Sequence, residues 1–182
     1  MLKIYLDNDV SSAITRRDLE KAELDALDLL IDCKRRKRII LDTSRQSPRE
    51  MERAPAQYHG NLKKGLVELG QAAKDHKFLG SYTLSDQYGG SITNPLVTDI
   101  VDEPLYSQVL ATGLKSDDSK HLMYASHNHY ERFVTCDGNF LNRRADLERL
   151  CPSIRIQRPS ELVAEFSFIA STLKGNRCGD RE

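Results

Sequence analysis

Four acidic residues stand where regular elements of the chain are predicted to begin or end. Asp7 directly follows the apolar stretch KIYL, and Asp137 directly follows FVTC. Asp118 stands at the start of a predicted helix, and Glu50 lies in the first turn of another. In an open parallel sheet, ligands bind beyond the carboxyl ends of the strands, where the following helices also begin. The four carboxylates are therefore predicted to converge at one edge of a sheet.

Carboxylates gathered in this way predict a bound cation. Without one, mutual repulsion raises their pKa values and costs several kcal/mol. A cluster of oxygen ligands suits Mg²⁺ or Mn²⁺. A hard divalent cation in an anionic site is typical of phosphodiester hydrolysis by metal-activated water. We therefore expect a metal-dependent nuclease in which Asp7, Glu50, Asp118 and Asp137 are both the catalytic residues and the metal ligands.

Each acid taken alone also has a purely structural explanation. An acid at a helix start interacts favourably with the helix dipole, which explains Asp118. Ser47 is the predicted N-cap of the helix that contains Glu50, and the two would form a capping box. Asp137 followed by Gly138 would form a turn. The joint placement of all four acids at one edge favours the functional interpretation.

The elements that position these acids are predicted to alternate between strands and helices. Strands are predicted at residues 2–6, 39–43, 132–136 and 154–157, and helices at 17–36, from 47 onward, at 61–76, 105–114, 117–130, 139–150 and 160–173. This alternation predicts an α/β fold, a three-layer α/β/α arrangement around a central, mostly parallel sheet. Between about residues 78 and 104, a turn-rich stretch predicts a hairpin-like insertion or flap.

Length, charge and cysteine content set outer limits on the class of protein. The 182 residues suit a single domain, at 1–174, followed by a frayed tail at 175–182. Equal numbers of basic and acidic residues, 27 of each, exclude the basic balance of a protein that coats nucleic acid. A polyanionic substrate therefore needs a local basic patch or a bound cation. The four cysteines form no CxxC pair, and no apolar run approaches the ~20 residues of a membrane span, so we expect a cytoplasmic protein.

The acidic motifs resemble those of the PIN-domain nucleases. In this chain the four motifs are IYLDND (Asp7 and Asp9), Ser44 with Glu50 six residues later, DSKHLMYA (Asp118, His121 and Ala125), and TCDGNF (Thr135, Asp137, Asn139 and Phe140). The resemblance covers roughly residues 1 to 60 and 114 to 166. The predicted insertion lies between the second and third motifs, which stand further apart than in compact toxin-type members of the family.

The resemblance implies a PIN-like α/β/α domain that cleaves single-stranded RNA or flap-like nucleic acid with Mg²⁺ or Mn²⁺. It implies that Asp7, Asp118 and Asp137 hold the metal, and that Glu50 holds it or orients the attacking water. Asp9, Thr135 and Asn139 would support them, with Thr135 hydrogen-bonded among the carboxylates or to a phosphate. His121 is expected to pack behind Asp118. An antitoxin-like or other protein partner and a homodimer stay open as further partners.

Two other classes of protein fit parts of the sequence. IYLDNDV also resembles the first motif of the haloacid dehalogenase phosphatases, with Asp7 as nucleophile and Asp9 as acid. That family's loading lysine has no obvious counterpart here, and no clear strand precedes Asp117 and Asp118. The third class is a non-catalytic PIN-like module that binds a partner. Trapping of a phosphoaspartate would identify the phosphatase, and an assay for cleavage separates the nuclease from the binding module.

Overall fold

The computed structural model describes residues 1–44, 46–53, 69–71, 75–85 and 91–166. Its strands are β1 (Leu2–Leu6), β2 (Ile39–Thr43), β3 (Gly70–Gln71), β4 (Lys77–Ser85), β5 (Ser91–Thr98), β6 (Arg132–Val134) and β7 (Arg155–Gln157). Its helices are α1 (Asn8–Arg16), α2 (Lys21–Arg35), α3 (Gln46–Glu52), α4 (Glu103–Ala111), α5 (Ser116–His127), α6 (Gly138–Leu141), α7 (Arg144–Leu150) and α8, at described residues 159–166.

The main sheet has five strands in the order β3-β2-β1-β6-β7, and every neighbouring pair is parallel. The predicted parallel arrangement of the strands near residues 2–6, 39–43, 132–136 and 154–157 is confirmed. The strand order reverses at β1, because the chain adds β2 and β3 on one side and β6 and β7 on the other. A ligand site is expected beyond the carboxyl ends of the strands at such a reversal, here β1 and β6.

Helices cover both faces of this sheet. Side chains alternate along a strand, so Tyr5 faces one side while Ile4 and Leu6 face the other. The Tyr5 side packs against buried residues of α4, α5 and α7, namely Val109, Leu122, Met123 and Leu147. The opposite side packs against α1, α2 and α8 through Val10, Ala13, Leu27, Leu30 and Leu162. Two apolar cores on opposite faces are compatible with the three predicted layers.

The helix predicted at residues 61–76 is wrong where the structure describes it. Gly70 and Gln71 form the short strand β3, which pairs with Asp42 and Thr43 of β2. A Cβ atom at Gly70 would lie 2.0 Å from Oδ1 of Asp42, so any larger residue at this position would displace the Asp42 side chain. Residues 61–68 and 72–74 lie outside the described part of the chain.

Strands β4 and β5 form a separate two-stranded antiparallel sheet within the stretch predicted to be a hairpin-like insertion. Residues 86–90, between the two strands, and the predicted tail at 175–182 are not described. None of the helices in the described ranges has the length and apolar character needed to cross a membrane.

Candidate active site

Two of the predicted site residues link a strand of the main sheet to the helix that follows it. Asp7 is the N-cap of α1, where its carboxylate accepts a hydrogen bond from the backbone N–H of Asn8 at 2.8 Å. Asp137 is the N-cap of α6 and accepts from the N–H of Asn139 at 2.8 Å. Capping by these carboxylates fixes both side chains at the carboxyl edge of the sheet.

Thr135 connects these two acids. Its hydroxyl group donates to Oδ2 of Asp7 at 2.9 Å, and the oxygen of that hydroxyl group, Oγ1 of Thr135, accepts from the backbone N–H of Asp137 at 3.0 Å. Thr135 and Asp7 are buried, whereas Asp137 is partly buried. The end of β6 is therefore attached to the end of β1 through one hydroxyl group, which restricts the orientation of the Asp7 carboxylate.

Asp118 lies in the first turn of α5, where its carboxyl group is affected by the charges of the other three predicted acids. Burial, and then the negative charges of Asp7, Asp137 and Glu50, raise the pKa of Asp118 to about 6. The charges that act on Asp118 therefore come from three other segments of the chain. Asp117, the neighbouring acid, instead forms an ion pair with Arg53 at 2.6 Å.

Glu50 takes part in this group, but not as a capping residue. Helix α3 begins at Gln46, so the predicted N-cap Ser47 lies inside the helix, where its hydroxyl is 2.6 Å from that of Thr43. The Glu50 carboxylate accepts a hydrogen bond from Nε2 of Gln46 at 3.1 Å and lies 3.2 Å from Nε2 of His121. The capping-box interpretation of Glu50 is therefore wrong.

The His121 ring is buried and lies between two of the acids, Glu50 and Asp7. Its Nε2 is 3.2 Å from Oε1 of Glu50 and 4.0 Å from Oδ1 of Asp7. Its Nδ1 is 2.7 Å from the hydroxyl of Tyr5, which donates to Oγ of Ser44 at 2.7 Å. Both ring nitrogens therefore face acceptors, as in a protonated ring. Burial lowers the pKa of His121, but the hydrogen bond to Glu50 and the charges of Asp7, Glu50 and Asp118 outweigh it and raise the pKa overall.

Tyr5 and Ser44 are parts of this hydrogen-bond chain whose contribution the sequence reasoning missed. Both are buried, and with His121 they form a continuous chain from the core to Glu50. One signal was present in the sequence. Tyr5 stands two residues before Asp7, so strand alternation predicts that it faces the same side of the sheet.

Asp9 adds a fifth carboxylate. Its Oδ2 accepts from the backbone N–H of Cys136 at 2.8 Å, and its Oδ1 accepts from that of Val10 at 2.6 Å. Burial, and then the charge of Asp7, raise the pKa of Asp9 to about 7 against those two hydrogen bonds, with a smaller contribution from Asp137. Burial also raises the pKa of Asp7, despite the opposing charge of His121. Ionisation of Asp7 and Asp9 therefore lowers the free energy of unfolding of the protein.

The oxygen atoms of this site are of the kinds that bind a hard cation. Carboxylate, hydroxyl and amide oxygens are the ligands that Mg²⁺ and Mn²⁺ prefer. Among the residues that the structure describes, no three His, Cys, Asp or Glu side chains lie close enough together to enclose a metal ion. Mg²⁺ usually keeps several waters and binds through one or two carboxylates, so such an enclosure is not required.

A buried, unpaired oxygen lies next to this set of donors in the sequence. Oδ1 of Asn8 is buried and has no hydrogen-bond partner within the described ranges. A buried acceptor of this kind fits a site that takes up a cation or a water molecule.

Comparisons of the whole chain with family models, with curated proteins and with solved structures found no match.

Proposed function

We propose that this chain is a divalent-metal-dependent nuclease with a PIN-like fold, which hydrolyses phosphodiester bonds in single-stranded RNA. The observation that carries the proposal is the set of contacts that link three of the acids: Nε2 of His121 lies 3.2 Å from Glu50 and 4.0 Å from Asp7, and the Thr135 hydroxyl bonds to Asp7 and to the N–H of Asp137. The charges of Asp7, Asp137 and Glu50 also add to burial in raising the pKa of Asp118. Asp7 and Asp137 follow β1 and β6, the neighbouring strands at which the order of the parallel sheet reverses, and Glu50 and Asp118 lie on α3 and α5. This supports a ligand site that stabilises negative charge with a cation.

Asp7, Asp118 and Asp137 would hold Mg²⁺ or Mn²⁺, directly or through water, with Glu50 as a further ligand or as the residue that orients the attacking water. When bound, the cation would lower the pKa of that water and stabilise the charge that develops on the phosphate. Asp9 would add negative charge from the first turn of α1, where the N–H of Cys136 holds its carboxylate.

The other residues of the site would position these groups. Thr135 restricts the Asp7 carboxylate through its 2.9 Å hydrogen bond. His121 sits 3.2 Å from Glu50 and would keep that carboxylate turned toward the other acids. The side-chain amide of Asn139, 3.4 Å from Oδ2 of Asp137, would donate to a phosphate oxygen of the substrate. Each contribution is one of orientation, which is a large part of catalysis in phosphoryl transfer.

The proposal is tested by incubating the purified protein with labelled single-stranded RNA and DNA in Mn²⁺, Mg²⁺ or EDTA. We expect cleavage of RNA with Mn²⁺ or Mg²⁺ and none with EDTA. Cleavage that persists in EDTA would contradict a metal mechanism. A protein that cleaves neither nucleic acid but forms a phosphoaspartate would instead be a phosphatase, and one that does neither would be a binding module.

A further inference from the structure

Two basic side chains, each one residue before a residue of the candidate active site, donate to the same oxygen atom. Nη1 of Arg49 and Nζ of Lys120 each lie 2.9 Å from Oδ2 of Asp99. Arg49 directly precedes Glu50 on α3, and Lys120 directly precedes His121 on α5. The cations therefore come from the two helices that also carry residues of the site, and they converge on a single anionic atom.

A hydrogen bond to the backbone of Asp99 helps to hold this residue in position. It follows strand β5, and the hydroxyl of Tyr124 donates to its backbone carbonyl at 2.6 Å. Burial raises the pKa of Asp99, but the hydrogen bond from Lys120 and the charges of Lys120 and Arg49 lower it overall, so the carboxylate is ionised near neutral pH. The side chains of Arg49, Asp99 and Lys120 are 51%, 24% and 17% exposed, so a ligand can reach this group from the side of Arg49.

We propose that Arg49 and Lys120 form a phosphate-binding subsite for the single-stranded nucleic acid, and that Asp99 fills this subsite in the free protein. The proposal rests on the proposed function, because Arg49 and Lys120 lie on the two helices that carry Glu50 and His121. A non-bridging phosphate oxygen is an anionic acceptor like Oδ2 of Asp99 and suits the same arginine and lysine donors. A chain with no net charge, and with five acids around its site, needs such local cations to hold a polyanion.

The ordinary alternative is an ion pair that only attaches the end of β5 to α3 and α5. The two interpretations differ in what Asp99 does to the affinity for nucleic acid. If Asp99 occupies a phosphate subsite, its removal strengthens binding only while Arg49 and Lys120 are present. If the pair is structural, removing Asp99 changes stability, and any gain in affinity does not depend on the two cations.

The test is binding of a fluorescein-labelled single-stranded RNA, followed by anisotropy in EDTA over a range of salt concentrations. Each phosphate contact on a single strand contributes about 0.7 to the slope of log affinity against log salt, so Arg49→Ala/Lys120→Ala should lower the slope by about 1.4. Asp99→Asn should raise the affinity by about threefold to tenfold in the parent and leave it unchanged in the Arg49→Ala/Lys120→Ala background.

The matched controls come from Arg17 and Asp28, an exposed ion pair between α1 and α2 with contacts of 2.6 and 2.8 Å. Arg17→Ala and Asp28→Asn should leave both the slope and the affinity nearly unchanged. If the double variant loses its native circular dichroism, Arg49→Gln and Lys120→Gln measured singly should each lower the slope by about 0.7. Single-stranded DNA should show the same loss of slope, since the subsite contacts phosphate and not sugar.

The proposal is overturned by an unchanged salt slope in the variants, or by an equal gain from Asp99→Asn in both backgrounds. It is also overturned if the parent protein does not bind the oligonucleotide at low salt. Because binding is measured in EDTA, the result is separate from cleavage. Binding through Arg49 and Lys120 without any Mn²⁺-dependent cleavage would support the subsite and contradict the proposed function.

Discussion

At the level of single residues, the candidate site depends on how buried side chains orient the carboxylates. Glu50 contacts His121, and His121 contacts Tyr5, so the orientation of an acid at the edge of the sheet is set by groups in the core. The nearby acids are crowded enough that burial and charge raise the pKa values of Asp9 and Asp118 to about 7 and about 6. Charge and orientation at this site can be separated by substitutions that keep the shape of a side chain.

Glu50→Gln removes the charge and keeps an oxygen that can accept from His121. We expect the melting temperature to change little, because the amide retains this contact and the lost attraction to His121 is offset by the relieved repulsion from Asp7 and Asp118. Mn²⁺-dependent cleavage should fall by at least about tenfold, equivalent to ~1.4 kcal/mol of transition-state stabilisation. Thermal denaturation and initial rates measure the two effects. Parent-like cleavage by the variant would remove Glu50 from the site and leave the aspartates.

Tyr5→Phe deletes the hydroxyl that contacts both His121 and Ser44. The partners lose a buried hydrogen bond, so we expect a loss of about 1–3 kcal/mol in the free energy of unfolding. Tyr106→Phe is the matched control, because its hydroxyl makes a solvent-exposed contact of 3.0 Å with Ser116 and should matter much less. Urea denaturation compares the two variants. Equal effects would mean that the buried chain adds no stability.

The sequence sufficed to predict that the acids stand at the ends of elements and that Thr135 hydrogen-bonds among them, but not how His121, Tyr5 and Ser44 connect to Glu50. Asp7, Asp118 and Asp137 stand at element boundaries that hydrophobic periodicity reveals. The position of His121 depends instead on how α5 packs against α3, which no local pattern encodes. Glu50 was assigned to a capping box because Ser47 fits an N-cap, yet α3 begins one residue earlier, at Gln46.

At the level of elements, the order of the strands creates the site. Because β1 lies between β2 and β6, the chain segments that follow β1 and β6 leave neighbouring strands at the same edge. Four strands were predictable from apolar runs bounded by polar residues. The two-residue strand β3 was not, since its pairing is set by the adjacent backbone of β2 and not by its own composition.

Gly70→Ala tests that close strand pairing. The new Cβ would lie 2.0 Å from Oδ1 of Asp42, whose other oxygen accepts a 2.8 Å hydrogen bond from Tyr130, so the Asp42 side chain must move. We expect a loss of about 1–3 kcal/mol in stability. Gly138→Ala is the control, because its nearest neighbour would be Nδ2 of Asn142 at 3.8 Å, an ordinary contact. If Gly70→Ala is as stable as Gly138→Ala, the strands do not approach as described.

At the level of the whole molecule, a chain with no net charge concentrates acids at one edge of its sheet. Their raised pKa values make the folded metal-free state bind protons more tightly than the unfolded state. Protonated Asp9 therefore contributes its full share of the free energy of unfolding below pH 3.8, the ordinary pKa of an aspartate, and this contribution is lost as the pH rises through about 7. The contribution of Asp118 is lost in the same way as the pH rises through about 6. His121, whose pKa is raised above 6.5, acts in the same direction at higher pH.

The free energy of unfolding in EDTA should therefore fall by at least about 1 kcal/mol between pH 5 and pH 7.5. The acids whose pKa values are lowered, Asp28, Asp99 and Glu165, have ordinary values of 3.8 to 4.5 and lose their contribution only below this window. Mn²⁺ at pH 7.5 should recover the lost stability. Urea denaturation across this range measures the slope, and a stability that rises with pH would contradict the crowding of acids.

The central claim is that a specific group of carboxylates, and not acidity in general, carries a metal-dependent nuclease activity. Asp118 and Asp117 are adjacent and identical in type, but Asp118 meets the other acids while Asp117 pairs with Arg53. The measurement is the rate of Mn²⁺-dependent cleavage of single-stranded RNA by Asp118→Asn and Asp117→Asn beside the parent. We expect kcat/KM to fall by at least about a hundredfold for Asp118→Asn, or ~2.7 kcal/mol, and to change by less than about threefold for Asp117→Asn. Equal rates for the two variants, or a parent protein that does not cleave, would contradict the claim.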